Sequence, residues 1–230
     1  MSYKILLFDL DDTLLDFAAN EAVSLNKLFQ LHGYTFTDEI FQTYNSVNKQ
    51  LWKDYENGGI ILEEVLNSRF SKTMNKLGQT VDGMEWENQY RELLSNGFQL
   101  MEGAYEVCRT LSKSHRLFII TNGVTKTQIK RVKESGLSDF FEDIFISQSI
   151  GYQKPAKEFF DYVMNHIKDF NKEEALIIGD TINSDIKGGI LSGIDTCLIS
   201  RKPQEQSSGI QSTYTFTKLS EIYDICSSKK

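Results

Sequence analysis

The stretch "YKILLFDLDDTLLDF" (residues 3–17) governs the reading of the whole chain. Its first half is a continuous apolar run of strand length, which fits a strand covered on both faces in a parallel sheet. Its second half sets Asp9, Asp11 and Asp12 at the end of that strand. Like charges at such spacing repel, and a carboxylate taken out of water costs several kcal/mol unless something pairs with it. Either the three side chains fan into solvent or a cation gathers some of them.

Three further runs, "RLFIIT" (116–121), "DIFIS" (143–147) and "ALIIG" (175–179), repeat the pattern, and "DTCLIS" (195–200) reads as a fifth strand. Segments of helical period lie between the later ones, among them "VTKTQIKRVKESG" (124–136) and "AKEFFDYVMNHI" (156–167). Strand alternating with helix predicts an α/β fold, a Rossmann-like doubly wound parallel sheet. Pro155 suits the first turn of its helix, and Gly136 follows a helix end where a left-handed residue is often needed.

The first crossover departs from this rhythm. A parallel connection needs only a dozen or more residues, whereas about 80 run from Asp16 to Asn96, ahead of the helix that leads into the second strand. Phe41, Tyr44, Val47, Leu51 and Tyr55, and then Leu62, Leu66, Phe70, Met74 and Leu77, recur at the three-to-four spacing of apolar helix faces. The segment is too long for a loop and too apolar for disorder. The expected organisation is an α/β core of residues 1–15 and 97–230 with an inserted four-helix cap of residues 16–96.

The bulk composition narrows the function classes. A chain of 230 residues with 40% hydrophobic and 25% charged residues is that of an ordinary soluble protein. No stretch approaches the roughly 20 apolar residues of a membrane span, and the start lacks the zones of a signal peptide, so a cytoplasmic location is expected. Cys108, Cys197 and Cys226 have neither disulfide nor zinc spacing and read as buried or idle thiols. The formal net charge of −7 argues against nucleic-acid polymers, which call for a basic surface, but not against a small anionic substrate. His32, His115 and His166 show no ligand spacing and read as surface residues, and "SSKK" (227–230) as a solvated tail.

In an open parallel sheet the carboxyl ends of the strands share one edge, and ligands bind in the crevice outside it. The first strand runs into Asp9, the second into "TNG" (121–123) and the fourth into "GD" (179–180), while "GYQKP" puts Lys154 after the third. Asp9, Thr121, Lys154 and Asp180 therefore converge despite their distance in sequence. The edge would hold acids, a hydroxyl and an ammonium.

"DLDDTL", "TNG", "QKP" and "GDTINSD" resemble, in order and spacing, the four motifs of the haloacid dehalogenase (HAD) superfamily of phosphohydrolases. The helical insert is similar to that superfamily's first cap type (C1). The resemblance implies a nucleophilic Asp9 that forms an aspartyl-phosphate and a Mg²⁺ cofactor held by the Asp9 carboxylate, the Asp11 carbonyl and the Asp180 carboxylate. Magnesium prefers such hard oxygen ligands. It further implies that Asp11 protonates the leaving alkoxide and then activates water. Thr121 and the Asn122 amide would hold phosphate oxygens, Lys154 would balance charge, and Asp185 would orient Lys154 or a metal-bound water. Asp12 is left outside the site. Gln153 stands where a small residue is expected, which bears on the fine shape of the phosphate pocket.

Asp11 favours phosphoryl transfer over dehalogenation, since attack on carbon needs no protonated alkoxide. A phosphorylation-controlled signalling domain of the receiver type would lack the late "GDTINSD" and the helical insert, and an idle scaffold would have lost a key residue. The cap stretch "VNKQLWKDYENGGI" (47–60) resembles the signature of the YjjG-type pyrimidine 5′-nucleotidases. That implies a small phosphorylated metabolite as partner, a nucleoside monophosphate, with Asn48, Trp52 and Tyr55 sharing one helix face toward it. Aromatics at that spacing also fill helical cores. The alternative substrate class is small sugar or polyol phosphates. The oligomeric state is left open, with a monomer slightly favoured.

Overall fold

The computed structural model describes residues 3–200 and 209–226, so the tail at 227–230 lies outside the described residues. The chain forms two compact units, one of Met1–Phe17 with Phe98–Lys230 and one of Ala18–Gly97. No described helix is long and apolar enough to cross a membrane.

Among the described residues the first unit is built on six parallel strands in the order β3-β2-β1-β4-β5-β6. They are β1 (Ile5–Phe8), β2 (Arg116–Thr121), β3 (Asp143–Ile146), β4 (Ala175–Gly179), β5 (Asp195–Ile199) and β6 (Tyr214–Phe216). The alternation of side chains along β1 explains its unbroken apolar run. Leu6 and Phe8 enter one core layer, with Val107 and Cys108 of α5 (Ala104–Leu111) and Val132, while Ile5 and Leu7 enter the other, with Phe159, Phe160 and Val163. Both faces are covered, as parallel strands require. The short β6 adds a strand that the sequence reading lacked; at three residues it is too brief for a period to register.

The sheet order reverses between β1 and β4, in register at Phe8 and Ile178. This is the topological switch point, where crossovers leave in opposite directions and a crevice opens at the strands' carboxyl ends. Asp9 extends the ladder by one bond, its amide donating to the Ile178 carbonyl at 2.8 Å. Gly136 follows α6 (Thr125–Glu134) with φ +74°, as its position suggests. Pro155 differs from expectation. The helix after it, α8 (Lys157–His166), begins two residues later, so Pro155 sits in the preceding turn behind a cis peptide. Between α6 and α8 in sequence, after β3, lies the single turn α7 (Ser147–Ile150).

The second unit holds α1 (Phe17–Leu31, whose first residue belongs to the other unit), α2 (Asp38–Glu56), α3 (Leu62–Lys76) and α4 (Gly83–Ser95). Thr37 caps α2 through the Ile40 amide, and the Asp82 carboxylate caps α4 through the Met84 and Glu85 amides. Asn20 on α1 donates to the Leu94 and Gly97 carbonyls at 3.0 and 3.1 Å, which ties the two ends of the unit together. Gly97 is required there, because a Cβ would lie 1.7 Å from Asn20 Oδ1. Phe29, Tyr44, Phe70, Trp86 and Tyr90 form the aromatic core.

Two polar features of this unit escape the apolar pattern. Arg69 is fully buried on α3, bidentate to Glu87 at 2.7 Å and donating to Tyr44 Oη and Asn48 Oδ1 at 3.3 Å. His32, expected at the surface, is half-buried and stacks on Trp86 at 4.2 Å.

Candidate active site

Lys154 organises the sheet edge. Its ammonium, 1% exposed, donates to Asp9 Oδ1 at 2.7 Å, Asp185 Oδ1 at 2.6 Å and the Ile120 carbonyl at 2.9 Å. All three N–H donors are thus satisfied within the protein. The Asn122 side chain fixes the lysine backbone at both ends. Its Nδ2 donates to the Lys154 carbonyl at 2.9 Å, and its Oδ1 accepts from the Lys154 amide at 2.8 Å. Burial works against the ammonium, but the Asp185 and Asp9 carboxylates outweigh it and hold the Lys154 pKa above its ordinary value.

Asp9 and Asp185 are 7% and 1% exposed, and Asp180 is half-buried. One oxygen from each of these three lies within 4.8 Å of the others. Asp185 also accepts the Thr181 amide at 3.2 Å, and Gly179 is needed beside it, since a Cβ there would lie 2.4 Å from its carboxyl carbon. Burial, with the charges of Asp185 and Asp180, drives the Asp9 pKa well above the carboxylate range, against the pull of Lys154. Burial and the charges of Asp185 and Asp12 push Asp180 up to about 7. With all three carboxyls ionised, one ammonium would leave two negative charges uncompensated, and all the donors are hard oxygens. That donor set fits a divalent cation of the magnesium type.

Thr121 is buried at the end of β2, where its Oγ1 accepts from the Gly123 amide at 3.2 Å and from Gln128 Nε2 at 3.0 Å. Asp11 is half-buried, one oxygen bound by Gln128 and the other by Arg131. The edge therefore joins Asp9, Lys154, Asp180 and Asp185 in one group and Asp11 and Thr121 in a second.

The three cap residues lie in the other unit. Asn48 is buried, its Oδ1 accepting from Arg69 and its Nδ2 donating to Glu21 at 3.5 Å. Tyr55 is buried and Trp52 half-buried, their rings edge-on at 5.7 Å. Sequence reasoning missed Gln128, Arg131, Arg69 and Glu87. Gln128 and Arg131 stand three apart on α6, whose apolar Ile129 instead faces solvent at 51% exposure. Of the apolar residues on this helix Val132 is buried and Ile129 is not, so apolarity marks no clear face; the one available signal was the Gln128–Arg131 spacing directly after "TNG".

A parallel switch-point fold with this acid–lysine edge defines a class. The model of the haloacid dehalogenase-like hydrolases matches residues 3–193, and the chain belongs to that family. Within it the protein is a phosphatase, and its nearly full-length relatives include two pyrimidine 5′-nucleotidases. Identity is 44% to YfnB of Bacillus subtilis (97% of this chain, 95% of that one) and 37% to the pyrimidine 5′-nucleotidase PynA of Streptococcus pneumoniae (97% and 95%). It is 33% to the pyrimidine 5′-nucleotidase YjjG of Escherichia coli (96% and 97%). A crystal structure of YfnB bound to magnesium, which reveals interdomain movement in that protein, matches with TM-score 0.95 and 43% identity over 99% of this chain and 100% of the other.

Proposed function

We propose that the protein hydrolyses nucleoside monophosphates, pyrimidine or non-standard, through an aspartyl-phosphate on Asp9, with Mg²⁺ as cofactor. The observation that carries the chemistry is the buried Asp9 held against Lys154 Nζ at 2.7 Å, a carboxylate oriented and charge-balanced where a phosphate would be attacked. The substrate class is supported by the likeness to PynA and YjjG.

Asp9, Asp180 and the Asp11 carbonyl would hold Mg²⁺, which when bound neutralises negative charge around the phosphate. A carboxylate oxygen of Asp9 attacks phosphorus while the bond to the ester oxygen breaks, and the Asp11 carboxyl gives its proton to the departing alkoxide. Asp11, now a carboxylate, takes a proton from water as that water attacks the phosphorus. The bond to Asp9 then breaks, inorganic phosphate leaves, and both side chains return to their starting state. Lys154 balances the charge on Asp9 and the phosphoryl oxygens as the transition state forms, while Thr121 and the Asn122 amide donate to those oxygens. The Asn122 side chain, engaged by the Lys154 backbone, acts by holding that loop. Asp185 keeps Lys154 in place.

Selection among leaving groups is assigned to the inserted unit of residues 16–96. Trp52 is the residue offered there for stacking on a base. Tyr55 supports its ring, and Asn48 is committed to Arg69 and Glu21. A panel of phosphomonoesters, nucleotides beside sugar and polyol phosphates, assayed with Mg²⁺ and with EDTA, tests the proposal. Pyrimidine monophosphates should lead the panel and chelation should abolish release. Full turnover in excess EDTA, or a clear preference for sugar phosphates, would overturn the corresponding part.

A further inference from the structure

Helix α6 carries a polar ring that joins the two members of the second group at the sheet edge. Gln128 and Arg131 are 2% and 1% exposed. Gln128 Nε2 has two hydrogens, and both are used: one meets Asp11 Oδ2 at 2.6 Å, the other Thr121 Oγ1 at 3.0 Å. Arg131 Nη1 closes the ring, donating to Asp11 Oδ1 at 2.5 Å and to Gln128 Oε1 at 3.0 Å. The guanidinium carbon also lies 5.6 Å from the centre of the Phe17 ring.

This connectivity fixes the polarity of every member. A flipped Gln128 amide would set its oxygen against the Asp11 carboxylate and its nitrogen against the Arg131 guanidinium, so Arg131 and Asp11 together dictate which end faces Thr121. Thr121 Oγ1 then accepts two hydrogen bonds, from Gln128 and from the Gly123 amide, which fills its lone pairs. Its own hydrogen remains to be donated, the polarity a phosphate oxygen needs. Asp11 has each oxygen bound once by the ring and keeps further lone-pair sites on which to carry a proton. An independent feature points the same way. A Cβ on Gly123 would stand 2.3 Å from Gln128 Nε2, so the glycine is what admits the amide.

We propose that Gln128 and Arg131 are positioning residues that couple the proton donor to the phosphate ligand. Arg131 sets the Gln128 amide, and Gln128 holds Asp11 and Thr121 at a fixed separation and forces Thr121 to donate. The inference rests on the reading of Asp11 as general acid and Thr121 as phosphate ligand.

The test compares leaving groups that do and do not need a proton. Gln128→Met, Arg131→Lys and Gly123→Ala are examined beside Asp11→Asn in single turnovers of uridine monophosphate and in the p-nitrophenol burst from p-nitrophenyl phosphate. Each of the three should slow uridine release roughly 10- to 100-fold, part of the roughly 10²–10⁴-fold a positioned acid contributes. The burst rate at saturating ester should fall far less, by no more than the roughly 2- to 10-fold lost with the Thr121 contact to phosphate, because p-nitrophenolate departs without a proton. Inhibition by inorganic phosphate should weaken roughly 2- to 10-fold in Gln128→Met, the loss expected for one hydrogen bond, and Thr121→Val should add little to it.

Gly123→Ala removes no polar group, so its agreement with Gln128→Met separates displacement of the amide from its chemistry and carries the test if a variant on α6 does not fold. Unchanged uridine release in Gln128→Met, or equal losses on both esters with a lower melting temperature, would overturn the inference and leave packing as the role of the ring. Should Asp11→Asn itself fail to discriminate between the esters, the assignment of Asp11 falls, and the inference with it. Discrimination by Asp11→Asn but not by Gln128→Met overturns the inference alone.

Discussion

Replacing Lys154 with methionine removes a buried cation from between two buried anions. The methionine keeps the length and apolar stem of the side chain, so what is lost is the ammonium with its three hydrogen bonds to Asp9, Asp185 and the Ile120 carbonyl. Breaking a buried ion pair by deleting one partner costs about 3–5 kcal/mol, because the other charge stays in place without compensation. For a chain of this length about 1 kcal/mol corresponds to roughly 2–4 °C in melting temperature, so Lys154→Met should melt roughly 6–20 °C lower in EDTA. The raised pKa of Lys154 means that its stabilisation is fully present below the ordinary lysine value, hence throughout pH 5–8. Acid partly relieves the variant by neutralising Asp9, whose carboxyl burial already holds well above the carboxylate range. The deficit should therefore be larger at pH 8 than at pH 5.

The molecule carries its own reporters for this measurement. Both tryptophans, Trp52 and Trp86, lie in Ala18–Gly97, so their fluorescence follows that unit and not the one that holds Lys154. Cys108, Cys197 and Cys226 are buried in the other unit, where burial pushes each thiol up to about 12. Native thiols of that kind resist alkylation, whereas unfolded ones react. Pulsed iodoacetamide labelling along a temperature ramp thus reads the melting of the unit that holds Lys154. A second substitution, Asp185→Asn, should recover part of the loss, because it removes one of the stranded charges. A labelling midpoint within about 2 °C of the wild type at both pH values would refute the reasoning, as would a double variant as unstable as the sum of its parts.

Asp9→Asn and Asp11→Asn should each lower kcat by orders of magnitude, the second by roughly 10²–10⁴ if acid–base transfer is its whole role; steady-state assays on uridine monophosphate check both. Trp52→Ala should raise KM for nucleoside monophosphates roughly 5- to 150-fold if the ring stacks on the base, with little change for p-nitrophenyl phosphate, as read from initial rates. Arg69→Met should destabilise the Ala18–Gly97 unit by less than the about 3–5 kcal/mol of a wholly stranded charge, because Glu87 keeps Arg91 at 2.6 Å; the loss is seen as an earlier tryptophan-fluorescence transition with the thiol transition unmoved.

The strands and the edge they form were legible because two independent constraints coincide there. A strand covered on both faces must be apolar throughout, and the residue that follows it is the first able to carry a charge. "ILLF" into Asp9, "RLFIIT" into Asn122 and "ALIIG" into Asp180 each show that break within one residue. The turns add backbone demands of their own. Gly179 must leave room for the Asp185 carboxylate and Gly123 for the Gln128 amide, so each motif glycine records a close approach of its turn to a side chain only a helical turn or two further along the chain. The start of α8 was misjudged because proline is as much at home in a turn as in a first helical turn.

The buried polar side chains were illegible for a related reason. Helical periodicity sorts residues by apolarity and then assigns the polar ones to solvent. On α6 that rule places Val132 inside but fails at its neighbours, since Ile129 faces outward while Gln128 and Arg131 bond one another and Asp11 inside. On α3 it admits Leu66, which is half-buried, and omits Arg69, which is fully buried against Glu87. A polar group can enter a core only when its partners are already there, and those partners come from other elements: Asp11 from the end of β1, Glu87 from α4. No window along the sequence contains both halves of such a pair. The residues that a single sequence hides are thus the ones whose burial depends on the tertiary fold. In this chain one such group lies where strand ends bring Asp11 and Thr121 together, and the other inside the Ala18–Gly97 unit, where Arg69 meets Glu87.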